Sequence, residues 1–175
     1  REVLRALAPV LRQHGSRINL ETHADTTTFE LVRMAEDVGP DIAGICLDTA
    51  NVFCFAEDPV AAARRAAPYT HLTHTKDAII YFSDRGITRQ GRPPGQGALD
   101  WEAILTALGE YSPDLPLSIE DHKWLFEMPV FEEEWHAQQA DLSRAEFGRV
   151  MAIAWEWQRK IIAGECPAPE IYEAI

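Results

Sequence analysis

The chain has 175 residues, room for one domain with a sizeable core and little prospect of two. Lys and Arg number 16 against 28 Asp and Glu, a net charge of -12 that repels phosphate backbones and argues against binding nucleic acid or an anionic membrane. No apolar run approaches the roughly 20 residues that span a bilayer, and three cysteines (Cys46, Cys54, Cys166) without metal-type spacing point to a reducing, cytoplasmic setting.

Residues 1–14 read as a helix, with Val3, Leu4, Leu7, Val10 and Leu11 on one face, Pro9 as an expected kink and Gly15 as the stop. Because Arg1 already lies in helix-like sequence, the chain is expected to begin partway through a longer protein. A short strand follows at Ile18–Leu20. TTTFELVRMAEDVG then carries threonine N-caps and Gly39 as its stop, a well-signalled helix. Ala43–Leu47 is apolar throughout, as in a strand buried between layers. Asp58-Pro59 starts a further helix that Pro68 ends, and Thr70–Thr75 is the third strand. Residues 76–99, rich in Gly, Pro and Arg, read as a long loop. Asp100 caps a helix through Leu108, and Leu117–Ile119 is the fourth strand. Residues 121–142 form a second long loop, and Ser143 with Glu146 reads as a capping box on a helix to about Ala163.

Strands separated by helices are nearly always parallel, joined by right-handed crossovers. The fold class is therefore α/β, a set of parallel (β/α) units in a single domain over residues 1–175.

Each apolar run is followed by a metal-ligand type of residue. Glu21 comes after Ile18-Asn19-Leu20, Asp48 after Gly44–Leu47, His74 after His71-Leu72-Thr73, and Glu120 after Leu117-Ser118-Ile119. In parallel α/β folds the carboxyl edge of the sheet is where active sites assemble. A single carboxylate there is commonly an N-cap, and a lone His is commonly a hydrogen-bonded structural residue. Four in one strand-relative position favour the joint reading. Three carboxylates share a crevice at pH 7 only if a cation or protons offset their repulsion, and a divalent metal does so most simply. Three oxygens and one nitrogen suit Mn²⁺ first, with Mg²⁺, Co²⁺ or Zn²⁺ as alternatives.

The strings NLETH (19–23), LDTAN (47–51), HTKD (74–77), GQGALDW (95–101) and SIED (118–121), in that order, resemble the second half of the xylose isomerase-like TIM barrels. That superfamily holds sugar phosphate isomerases, ketose 3-epimerases, inosose dehydratases and repair endonucleases. The resemblance implies that these are strands five to eight, that Glu21, Asp48, His74 and Glu120 ligate one ion, and that Glu21 and Glu120 move the proton on opposite faces of a small sugar or polyol. It implies an isomerase or epimerase working through an enediolate. The alternatives are a polyol or dehydroshikimate-type dehydratase and a non-catalytic barrel fragment. Many relatives have a His where this chain has Asn51, so a substrate or water contact there is altered. Such barrels need about 250 residues; a missing N-terminal half, a second copy or a separate chain is expected to complete this one.

Lesser candidates are Asn51, Lys76, Arg85 and His23 for substrate, with Lys76 otherwise pairing with Asp77 at the surface. His23 and His122 each lie two residues past a proposed ligand and so point the same way if the strand continues. Arg85, Arg89 and Arg92 offer forks for an anionic group, and Trp124 and Trp135 offer walls for a pocket.

Overall fold

The computed structural model describes residues 1–174. Four parallel strands form the main sheet in the order β1 (Ile18–Glu21), β2 (Ala43–Asp48), β3 (Thr70–Thr75) and β6 (Leu117–Ile119). These are the four strands expected from the apolar runs, and their helices follow as the repeat requires. The helices are α1 (Glu2–Gln13), α2 (Thr28–Val38), α3 (Pro59–Ala66), α4 (Trp101–Gly109) and α6 (Arg144–Ile162). Helix α1 continues through Pro9.

The segments read as loops contain a second sheet. Strands β4 (Asp77–Phe82), β5 (Ile87–Arg92) and β7 (Leu125–Met128) form an antiparallel layer in that order, and two short helices follow, α5 (Glu133–Gln138) and α7 (Pro169–Ala174). The Arg- and Gly-rich composition of β5 hides its strand character, because all six of its residues are buried. One face of this layer carries Ala78, Ile80, Ile87 and Met128 into the main core. The opposite face meets α7, where Gln90 donates to the Pro169 carbonyl and to Glu173, and Arg92 lies 3.4 Å above the Tyr172 ring.

Between sheet and helices lies a core built on Leu31, Ile45, Leu47, Phe53 and Ile104, each at most 2% exposed. Burying such side chains stabilises the fold by roughly 1.5–3 kcal/mol apiece. Ala62, Ala63 and Ala66 let α3 sit close to its neighbours. A smaller cluster of Leu4, Ala8, Val38, Ile42 and Ala43 seats α1.

The helix starts are set locally. Thr27 and Glu30 form a complete capping box on α2. At α6, Ser143 accepts from the Glu146 N–H, but the Glu146 carboxylate is drawn away to Arg65 at 2.8 Å and to the Asp58 N–H. The expected box is therefore half-formed. Arg65 also reaches Glu57 at 2.7 Å and stacks over Phe29. Glu57, which accepts from the Thr28 N–H and hydroxyl, is 1% exposed; burial pushes its pKa up to about 7 against those bonds and Arg65.

The edges of the main sheet are β1 and β6, and on β6 Leu117 and Ile119 are exposed. Among the described residues, no helix is long and apolar enough to cross a membrane.

Candidate metal centre

The carboxyl ends of the four parallel strands meet at one point. A register shift between Ile45 and Cys46 brings Asp48 level with His74, and Glu120 follows directly on β6, its N–H bonded to the Thr75 carbonyl. One ligand atom from each of Glu21, Asp48, His74 and Glu120 lies within 4.8 Å of all the others. His74 Nδ1 is 3.1 Å from Glu21 Oε1 and 3.0 Å from Glu120 Oε2.

Asp48 is held by its own backbone. Its Oδ1 accepts from the N–H groups of Ala50 and Asn51, and the Thr22 hydroxyl ties β1 to β2 by bonding the Asp48 N–H and carbonyl. That leaves Oδ2 buried with no hydrogen bond, as is Glu120 Oε2. Buried carboxylate oxygens without donors carry a desolvation penalty that a cation offsets. Three carboxylate oxygens, one each from Glu21, Asp48 and Glu120, and one imidazole nitrogen fit a divalent ion of the Mn²⁺ or Mg²⁺ kind.

Lys76 is the resident cation. Only 2% exposed, it places Nζ 2.7 Å from Asp48 Oδ2, 3.1 Å from Glu120 Oε2 and 3.0 Å from His122 Nε2. The geometry to the two carboxylates is that of ion pairs rather than aligned hydrogen bonds. Burial pushes the Glu120 pKa up, but Lys76, His74 and His122 together outweigh it and hold the carboxyl below its ordinary value.

Asp77 does not pair with Lys76 at the surface; it is fully buried. Its carboxylate accepts from the N–H groups of Ala78, Gly95, Gly97 and Leu99 and from the Trp101 indole. This pins the GQGALDW segment against β4. A Cβ at Gly97 would strike the Asp77 carboxylate and the Ala78 carbonyl, so glycine there serves close approach.

The remaining candidates divide. His122 reaches Glu120 at 3.3 Å, and Trp124 stacks on His23 with ring centres 5.7 Å apart and lies tilted to His122 at 6.3 Å. His23 thus stands in the aromatic wall beside the centre. Asn51 is 1% exposed and donates to the Thr22 carbonyl, which places it in the support of the β1–β2 strand ends rather than on an open surface. Arg85 sits in the β4–β5 turn, the end of the hairpin remote from Lys76. There it pairs with Glu132 at 2.7 Å and Glu127 at 3.7 Å, and it is not brought to the centre. Trp135 packs on His136 and Phe147, also away from it. Cys46 and Cys54 are buried, and desolvation pushes both thiols up to about 12, so neither serves as a nucleophile at neutral pH.

Comparison with known families matches residues 1–145 to the xylose isomerase-like TIM barrel model. The chain belongs to that family. Among curated relatives, the uncharacterized protein YihM of Escherichia coli is 30% identical over 94 residues, 54% of this chain and 29% of that protein. The 3-oxo-isoapionate decarboxylase of Pectobacterium atrosepticum is 27% identical over 104 residues, 58% of this chain and 38% of its own. This member of the family thus spans about a third of the length of these relatives.

The solved structures place the fold. A xylose isomerase domain protein from Planctomyces limnophilus superposes with a TM-score of 0.56 at 26% identity, over 86% of this chain and 53% of that one. A xylose isomerase-like TIM barrel protein from Mycobacterium smegmatis, solved in complex with magnesium, gives 0.58 at 19% identity over 90% and 50%. The IolI protein, solved with a zinc atom, gives 0.53 at 21% identity over 86% and 53%.

Proposed function

We propose that this chain carries the metal centre of an isomerase or epimerase that moves a proton next to the carbonyl of a small polyhydroxylated substrate. The observation that carries the reading is the convergence of Glu21, Asp48, His74 and Glu120 on one point, one ligand atom of each lying within 4.8 Å of the others. The magnesium and zinc in two structural neighbours support a divalent ion in general, and we take Mn²⁺ as its first candidate.

Glu21, Asp48, His74 and Glu120 would hold a divalent ion, which would supply a Lewis acid beside a substrate carbonyl. The protein supplies the proton movement. Glu21 and Glu120 arrive from opposite edges of the sheet, β1 and β6, so a substrate between them presents one face to each. One removes the proton and the other returns it on the far face. Lys76 and His122, both in contact with Glu120, orient its carboxylate. Trp124 and His23, stacked on each other, form one flank of the centre.

Loss of water or of carbon dioxide begins from the same polarised carbonyl. The name of the curated decarboxylase relative favours the second of these as the alternative outcome. In this reading the chain works in the cytoplasm as part of a closed barrel. The bare edges β1 and β6, and neighbours about twice its length, support completion by an N-terminal half or by a partner chain, a second copy included.

The test is incubation of the Mn²⁺-loaded protein with candidate sugars in D₂O. Deuterium uptake with a new diastereomer or ketose supports the proposal. An enone, a dione or carbon dioxide reassigns the chemistry, and no exchange with any sugar leaves a non-catalytic barrel fragment.

A further inference from the structure

Strand β5 sends Arg89 inward, on the face shared with Ala78, Ile80 and Ile87. Antiparallel pairing sets Arg89 opposite Ile80 on β4 and Phe126 on β7, and the side chain is fully buried. Its Nε donates to the Ala50 carbonyl at 3.2 Å, and Ala50 in turn donates its N–H to Asp48 Oδ1. The guanidinium carbon lies 5.0 Å from the Trp124 ring centre. The fork therefore sits between Trp124 and the carboxyl end of β2, beside the metal ligands. Burial lowers its pKa, and the groups that oppose this are Cys54, Asp48 and Glu120.

Both terminal nitrogens, Nη1 and Nη2, are buried without a hydrogen-bond partner. A guanidinium placed in apolar surroundings with its two forward donors unused is a poor structural element and a good receptor for a two-oxygen anion. The surrounding charges state which anion. With a divalent ion bound, that ion and the Lys76 ammonium would balance the three carboxylates of the centre, leaving the charge of Arg89 uncompensated. A single spare positive charge matches a monoanionic carboxylate, whereas a dianionic phosphate calls for more than one.

We propose that Arg89 selects a substrate bearing a carboxylate, which it grips bidentately while the hydroxyl and carbonyl end faces the metal ligands. This rests on the reading of the four residues as a metal centre. It narrows the substrate class from polyhydroxylated compounds in general to sugar acids and their keto derivatives. Gly91, two residues on and on the same face, leaves room for the segment that carries Trp124: a Cβ there would meet the His122 carbonyl at 2.6 Å.

Calorimetric titration of the Mn²⁺-loaded protein with erythronate, erythritol and glycerol 3-phosphate tests it. Erythronate is expected to bind at least about tenfold more tightly than erythritol and more tightly than the phosphate. In Arg89→Met that preference is lost while Mn²⁺ binding is retained, and Arg89→Lys, which keeps the charge without the fork, falls between. Equal binding of erythronate and erythritol by the wild type, a preference that survives in Arg89→Met, or tighter binding of glycerol 3-phosphate overturns the assignment. If Arg89→Met does not fold, the wild-type panel and Arg89→Lys decide, and an unchanged preference in Arg89→Lys counts against the fork. Absence of Mn²⁺ binding by the wild type removes the metal centre itself, which separates that failure from this one.

Discussion

Lys76 Nζ lies 2.7 Å from Asp48 Oδ2, both groups almost fully buried, so an ammonium already neutralises the carboxylate that the proposed divalent ion would also use. Removing the ammonium from the metal-free protein strands a buried carboxylate at the full desolvation cost.

Lys76→Met should therefore lower the stability of the metal-free protein by about 3 kcal/mol or more, the cost of stranding a buried carboxylate. Added Mn²⁺ should restore most of it, because the ion takes over the vacated attraction. Thermal unfolding in EDTA and in excess MnCl₂ checks this. A metal-induced rise in Tm no larger than that of the wild type would sink the competition argument.

Asp48→Asn keeps an acceptor for the Ala50 and Asn51 N–H groups but removes the charge. The fold should persist and the bound metal should fall from about one ion per chain to below about a tenth of that, as elemental analysis of the gently purified protein reads it. Retained metal would strike Asp48 from the ligand set.

Glu120→Gln should stop solvent deuterium exchange while the variant unfolds at nearly the wild-type temperature, since its side chain is about a third exposed. Normal exchange would exclude it as an acid or base.

The single carboxylate of Asp77 holds four backbone N–H groups and an indole N–H. Asp77→Ala should cost about 3 kcal/mol in chemical denaturation, in line with the loss of several charge-assisted bonds acting as a unit. A change under about 0.5 kcal/mol would mean the loop holds itself.

Glu57 has a folded pKa of about 7, above its unfolded value, so the folded state binds the extra proton. Its contribution is present in full below pH 4.5 and is lost as pH rises through about 7. Wild-type Tm should accordingly decline across that window, and Glu57→Gln should flatten the decline. A wild-type Tm that climbs from pH 5 to 7 contradicts the assignment.

The parallel sheet was legible from its short apolar runs, clearest in Ala43–Leu47, which is buried throughout, and the residues that follow those runs, Glu21, Asp48, His74 and Glu120, are the four that converge. The second sheet was not, because burial there is achieved by pairing rather than by composition. Arg92 is covered by Tyr172, Gln90 is bonded to Glu173, and Arg89 lies beneath Trp124. No periodicity reports such partners. For the same reason Arg85, Arg89 and Arg92 were indistinguishable in sequence, and only the hairpin register sends one to the turn, one inward and one outward. For Lys76 the sequence left open a substrate contact or a surface pair with Asp77, and the second fails because both side chains are buried with partners far along the chain.

The β4–β5 hairpin has a consequence of its own. The four residues of the candidate metal centre come from the ends of the parallel strands, whereas Arg89 comes from a ribbon laid beside them. If both proposals hold, chemistry and recognition are written in different parts of the chain. Exchanging the inward-facing side chains of that ribbon would then change the preferred substrate while leaving Glu21, Asp48, His74 and Glu120 in place.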